Sequence, residues 1–288
     1  CNPKTCVDQG IECGQAGDGC GSILNCGTCP NPLTCGGSGV PVVQMVATGR
    51  ADFGIAGADD ILLARAGGAD IVALFTVYQT FPQAIMAHAS RGAKTLKDVL
   101  SSGTLAIGVG NPYTAFLKKK YNFDNVQVVP YDGGVARFVA DKNFAQQCFI
   151  TAEPIAAKKQ GVETSVFLLA DEGFNPYTGV VITRREIIEK NKALASAFVS
   201  ASREGWRSYL DDPKAANATM AKLNTAMDAE TFAAAAEAQK KLIETDETKT
   251  RGLGTMSKER WETLAQQLVD LKIIEKAPDV GAVLVTLD

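Results

Sequence analysis

Two short stretches of the sequence carry the residue types that hold small ligands. Gly108-Val109-Gly110-Asn111-Pro112-Tyr113-Thr114 reads as a strand end feeding a helix N-terminus. Free backbone N–H groups and a threonine hydroxyl there suit a carboxylate, sulfonate or phosphate. Gly57-Ala58-Asp59-Asp60 has the same form, a glycine turn opening a helix after a short apolar strand. Tyr113, Tyr131 and Tyr177 offer rings to stack and hydroxyls to hydrogen-bond. Asp132 follows a strand end beside Tyr131, and Glu153, ahead of Pro154, suits a ligand amine. With Thr80 in a linker, the candidate ligand-binding set is Gly57, Asp59, Thr80, Asn111, Tyr113, Thr114, Tyr131, Asp132, Glu153 and Tyr177. The same residue types also serve as ordinary turn, cap and dipole chemistry, so both readings stand at this level.

Catalytic constellations are thin. The chain has one histidine, His88, which follows an apolar strand and suits a core or hinge position. Without a Ser-His-Asp set, acid–base work would fall to carboxylates with no visible pairing. Cys148, between Gln147 and Phe149, reads as a small buried hydrophobe rather than a nucleophile. No catalytic residue, metal site or cofactor is expected, and the chain does not read as an enzyme.

The other seven cysteines, Cys1, Cys6, Cys13, Cys20, Cys26, Cys29 and Cys35, crowd the first 35 residues among Gly, Pro, Asn and Thr. A segment so poor in apolar residues needs crosslinks to hold a shape, which points to disulfides and an oxidising compartment. Cys26-Gly27-Thr28-Cys29 has zinc-knuckle spacing, but a lone pair without a second pair or a nearby histidine is weak. Seven cysteines permit three bridges and leave one thiol over.

The elements that must position the ligand residues come after Gly36. At 288 residues and a formal net charge of −3, the chain has room for two ordinary domains and no electrostatic reason to bind nucleic acid. No apolar run approaches the roughly 18 residues that span a bilayer. The absence of an initiator Met and of a signal segment points to a processed chain or a fragment. Short apolar runs predict strands over 52–56, 71–76, 84–88, 104–109, 126–130, 148–151, 166–169 and 179–183. Their alternation with helices reads as parallel α/β punctuation. Thr95 with Asp98 predicts a capping box, and Pro112 with Lys118-Lys119-Lys120 predicts a helix with well-placed ends. Periodicity from 186 to 275 is almost wholly helical. Two linkers, about 80–84 and 175–179, join two α/β units, the outline of a hinged protein that closes on a ligand.

Residues 1–35 resemble a cysteine-rich module repeated in secreted proteins of myxobacteria, through Cys1-x-Pro3-x-Thr5-Cys6, Asp18-Gly19-Cys20-Gly21 and Pro32-x-Thr34-Cys35-Gly36-Gly37. Residues 36–288 resemble the NMT1/THI5-like substrate-binding proteins of ABC transporters. That likeness rests on Gly36-Gly37-Ser38-Gly39, on Gly49-Arg50-Ala51-Asp52-Phe53-Gly54, on 70–79, on Glu153-Pro154, on Asn175-Pro176-Tyr177-Thr178 and on Arg260-Trp261. The resemblance implies an α/β, two-lobed, hinged fold of the periplasmic-binding-protein type 2. Lobe 1 would hold about 36–83 and 177–288, and lobe 2 about 84–176. It implies a small-molecule ligand of sulfonate-like or pyrimidine-like kind, a permease partner, and a periplasmic or extracellular location. Contact with the membrane would run through the permease, or through a lipid anchor on Cys1. The alternative reading is a secreted or chimeric protein whose cysteine module makes surface contacts.

One departure from the family carries a structural expectation. Members begin with a strand, a helix and a second strand before the glycine loop, and here the cysteine module stands in that place. The first lobe is therefore expected to be truncated, with strands 52–56 and 71–76 carrying exposed apolar edges.

Overall fold

A computed structural model of the chain describes residues 15–17, 23–25, 40–224 and 227–287. Two three-residue strands, β1 (Gln15–Gly17) and β2 (Ile23–Asn25), pair antiparallel. The expected disulfides lie outside the described residues, as do Cys1, Cys6, Cys13, Cys20, Cys26, Cys29 and Cys35 themselves.

The first sheet holds β3 (Phe53–Ala56), β4 (Ile71–Tyr78) and β10 (Thr178–Arg184) in the order β3-β10-β4. The chain leaves it after Tyr78 and builds a second sheet of β5 (Gln83–His88), β6 (Thr104–Ala106), β7 (Gln127–Val129), β8 (Phe144–Phe149) and β9 (Thr164–Leu168). That sheet is ordered β7-β6-β8-β5-β9. The chain then returns to the first sheet as β10. Helices α1 (Val42–Ala47) and α2 (Ala58–Ala66) belong to the first sheet. Helices α3 (Leu96–Val99), α4 (Pro112–Tyr121), α5 (Ala136–Ala140) and α6 (Glu153–Lys159) cross between strands of the second. The helices α7 (Arg185–Lys190), α8 (Lys192–Asp211), α9 (Lys214–Leu223), α10 (Ala229–Ile243), α11 (Asp246–Arg251) and α12 (Lys258–Asp270) follow, ahead of a last segment that bridges to β4 at Leu284.

Local sequence explains many of the ends. Thr95 and Asp98 form the capping box that opens α3, each side chain accepting the other's backbone N–H. Pro112 sits at the first position of α4 and three lysines fill its last turn, against the helix dipole. Gly54 is a packing glycine: a Cβ there would stand 2.6 Å from Val42 and 2.9 Å from Val46, so its absence lets α1 lie directly on β3.

Three expectations change in the folded chain. In the first sheet the parallel reading gives way to a mixed one, because β10 inserts between β3 and β4 and pairs antiparallel with both, Val181 facing Ile55 on one side and Phe75 on the other. The long return of the chain supplies the central strand, which local alternation cannot reveal. Second, β8 starts at Phe144, not at Cys148, since Phe144 pairs with β6, and Ala145 and Gln146 pair with both β6 and β5. Third, β4 has no exposed edge. β10 covers one side, and on the other Ala73 donates to Val283 O and accepts from Val285 N–H, leaving Ile71 to Val77 buried.

The edge of β3 is different. Among the described residues it has no strand beyond it, and Ile55 is 62% exposed. A groove of about 640 Å³ runs on the α1–α2 side and another of about 470 Å³ on the side of Phe198, Trp206 and Met220; Ile55 lines both. The main core instead runs through the crossing, from Ile61, Leu62 and Ile71 of the first sheet's layer to Ile85, Leu105 and Leu117 of the second, with Trp261 of α12 wholly buried among them.

Candidate functional site

Strand direction decides where the two sheets meet. β6, β7 and β8 run parallel, so Gly108, Tyr131 and Glu153 all follow carboxyl ends on one side of the second sheet. β5 is antiparallel to β8 and starts opposite Phe149, so the first crossing enters at that same side. In the first sheet the crossing leaves from the carboxyl end of β4, and Gly57 follows the carboxyl end of β3. The carboxyl ends of both sheets therefore flank the crossings and face each other across a cleft, the usual place for a ligand in open α/β sheets.

On the second sheet's side the cleft is tightly wired. The Tyr113 hydroxyl donates to Gln147 Oε1 at 2.8 Å and accepts from Asn111 Nδ2 at 2.8 Å. Gly108 N–H donates to the same Gln147 oxygen at 2.6 Å. The Thr114 hydroxyl donates to Gly108 O at 2.6 Å and is buried. A Cβ at Gly108 would fall 2.4 Å from Asn111 Nδ2, so the glycine is what lets this loop close. Tyr131 donates to Glu153, whose other oxygen accepts Phe149 N–H at 2.8 Å. Asp132 is exposed and accepts from Gly134 N–H.

On the first sheet's side stand Gly57, Asp59 and Asp60 at the start of α2. Burial, then the neighbouring Asp60 charge, pushes the Asp59 carboxyl up to about 6. Asp60 is raised as well, chiefly by burial. Burial pushes the Tyr113 hydroxyl up to about 12, with Asp59, Cys148 and Glu153 adding to it. Tyr131 rises through burial and its bond to Glu153. The Tyr113 hydroxyl thus feels Asp59 from the first sheet and Glu153 from the second.

Not all candidates reach this cleft. Tyr177 is 1% exposed; its hydroxyl accepts Ser257 N–H at 2.9 Å and Arg260 lies over its ring at 3.9 Å. It packs the hinge. Thr80 sits in the first crossing, its N–H donating to Leu242 O. Cys148 is 1% exposed, and burial raises its thiol. His88 is buried at the far end of β5, its Nε2 bonded to Phe138 O at 2.6 Å. Among the described residues no group of acidic, Cys and His side chains is placed to hold a metal ion.

Two features escaped the sequence reading. Gln147 centres the hydrogen-bond network, but its strand was expected to begin only at Cys148. Arg260 and Asn175 brace the hinge: Arg260 donates to Gln79 O, Asn175 O and Asn175 Oδ1. Across the cleft mouth, Lys159 of α6 pairs with Asp228 and donates to Thr231 Oγ1 at 2.6 Å, both at the start of α10.

The comparisons with known proteins agree with this architecture. A riboflavin-binding protein, RibY, of Chloroflexus aurantiacus is 29% identical over 168 residues, 56% of this chain and 47% of the relative. The chain spans about half the length of that relative. Among solved structures, the periplasmic aliphatic sulphonate-binding protein SsuA of Escherichia coli matches with a TM-score of 0.63 at 15% identity, covering 85% of this chain and 79% of that one. A sulfonate ABC transporter protein, SsuA of Methylobacillus flagellatus, matches with a TM-score of 0.60 at 16% identity, covering 86% and 76%. At such identity these structures show the shared fold. The NMT1/THI5-like family model matches residues 34–216, well over half of the sequence, and the chain belongs to that family.

Proposed function

We propose that this protein is the extracytoplasmic solute-binding component of an ABC importer, holding a small organic ligand between its two sheets and delivering it to a permease. The observation that carries this reading is topological: the carboxyl ends of β3 and β4 in one sheet and of β6, β7 and β8 in the other all flank the two crossings of the chain, where open α/β sheets hold their ligands. The family match and the solved structures of transport-system binding proteins support the class. They also support a periplasmic or extracellular location and a binding rather than catalytic role. Of the two ligand chemistries the family suggests, the heteroaromatic one fits better, since tyrosine, amide and acid side chains line the cleft. Mass spectrometry of small molecules released on denaturing the purified protein tests the reading. One stoichiometric organic ligand is expected. A protein that releases none and shows no thermal shift with any small solute would overturn it.

A further inference from the structure

Beside β4, on residues that take no part in the cleft, a cavity of about 250 Å³ lies between α8, the turn from α11 to α12 and the last segment of the chain. Arg203 of α8, Arg251 at the end of α11, Thr255 and Thr286 line it together with Leu74 and Leu287. Among its described lining residues no side chain is acidic. The turn faces this space with its acceptors already spent. Leu253 O accepts from Arg203 Nε at 3.1 Å, Gly254 O from Thr76 N–H at 3.2 Å, and Thr255 O from Gln79 Nε2 at 2.9 Å. The N–H groups of Leu253, Gly254, Thr255 and Met256, which all line the cavity, make no hydrogen bond among the described residues. Leu253 and Gly254 are buried, and a buried N–H without an acceptor is rare in folded chains. The turn is fixed in place: Gly254 has φ +89°, and a Cβ there would stand 2.0 Å from the Phe75 ring.

The side chains are equally unspent. Among the described residues Arg203 uses only Nε, and Arg251 uses one terminal nitrogen, on Glu247 at 3.1 Å. The hydroxyls of Thr255 and Thr286 make no hydrogen bond there either. Free N–H groups alone call for water, but two guanidinium groups with no carboxylate lining the cavity call for negative charge. The volume lies below the roughly 300–1,000 Å³ of pockets for organic ligands, so it suits a small ion. Both arginines are exposed, so an ion can enter from water.

We infer that this cavity is a second site, independent of the cleft, that binds a small oxyanion of the phosphate or sulfate kind. The free guanidinium nitrogens of Arg203 and Arg251 hold the anion, and the N–H groups of the turn with the hydroxyls of Thr255 and Thr286 complete its shell. The ion ties α8 and the last segment to the turn whose Thr255 O holds Gln79 at the first crossing.

The test is titration calorimetry of the full chain, dialysed into chloride, with inorganic phosphate as the probe at constant ionic strength. Saturable binding at one site is expected at millimolar phosphate or below. Arg251→Gln and Arg203→Gln should each weaken it by about tenfold, the loss of one charge-assisted contact. The thermal midpoint of each variant without phosphate is the control for folding. Arg251 makes only an exposed ion pair, so its variant keeps the test open should Arg203→Gln not fold. Phosphate binding that neither variant weakens overturns the site. The absence of saturable heat at millimolar phosphate leaves the cavity to water and overturns it as well. Asp288, next after Leu287, lies outside the described residues. Binding that becomes about tenfold tighter in Asp288→Asn would show that its carboxylate already serves as the anion, and overturns an external ion.

Discussion

Arg260 and Asn175 tie the two crossings into one joint. Arg260 Nη2 donates to Asn175 Oδ1 at 2.9 Å, that same oxygen accepts Phe81 N–H at 2.8 Å, and a second Arg260 nitrogen donates to Gln79 O. One side chain from α12 thus reads both passages of the chain between the sheets. Burial lowers the Arg260 guanidinium somewhat below its ordinary value, so the bonds it makes are what keep a charge there tolerable.

Asn175→Ala is expected to destabilise the protein by about 2–4 kcal/mol. It leaves the Phe81 N–H and one guanidinium nitrogen without an acceptor in a partly buried place. Urea unfolding at neutral pH measures this, and a change under 0.5 kcal/mol would show that the joint does not depend on Asn175.

Asp59 predicts a pH dependence of definite sign. Its carboxyl titrates at about 6 in the folded chain and at 3.8 without perturbation. The folded state therefore binds more protons between those values, and stability falls as pH rises from about 4 to about 6. Asp60 on the same helix and Tyr113 opposite are the groups whose charge or dipole faces it. Asp59→Asn should raise stability at pH 7 by on the order of 1–3 kcal/mol and have little effect at pH 4. Thermal unfolding of both proteins across that range checks it, and a pH-independent difference would contradict it.

The contact between Lys159 and Asp228 joins α6 to α10 across the mouth of the cleft. Asp228→Asn keeps an acceptor for Thr231 N–H at the head of α10 while removing the charge. The lobes are expected to open more readily. Spin labels on exposed sites of α6 and α10 should report a longer, broader distance distribution in the variant. High salt should produce the same change in the unmodified protein.

The open edge of β3 predicts uneven backbone protection. Amides of β4, paired on one side by β10 and bridged at Ala73 on the other, should exchange slowly. Those of Gly54 to Ala56 should exchange faster, because β3 is paired on one side only among the described residues. Ile55→Lys should change stability by no more than about 0.5 kcal/mol and reduce self-association, since Ile55 is already largely in water. Equal protection of β3 and β4 would mean that the β3 edge is covered in solution.

Local chemistry made much of the chain legible without a structure. Thr95 and Asp98 announce a helix start within four residues, Pro112 and the three lysines mark both ends of α4, and the apolar runs over 71–76 and 84–88 fall within β4 and β5. These signals are readable because they arise from contacts a few residues apart. Placement of β10 between β3 and β4 joins residues more than a hundred positions apart, and no local periodicity encodes it. The same holds for the site. Asn111, Tyr113, Tyr131 and Glu153 follow strand ends, so their candidacy was visible in sequence. That Thr114 turns its hydroxyl back to Gly108, that Tyr177 is packed under Arg260, and that Gln147 centres the network depend on which strands lie side by side. Sequence settled the turns and caps, where geometry is local. Tertiary structure decided which donors were spent and which charges were left facing the cleft, because that depends on burial and on partners far away in the chain.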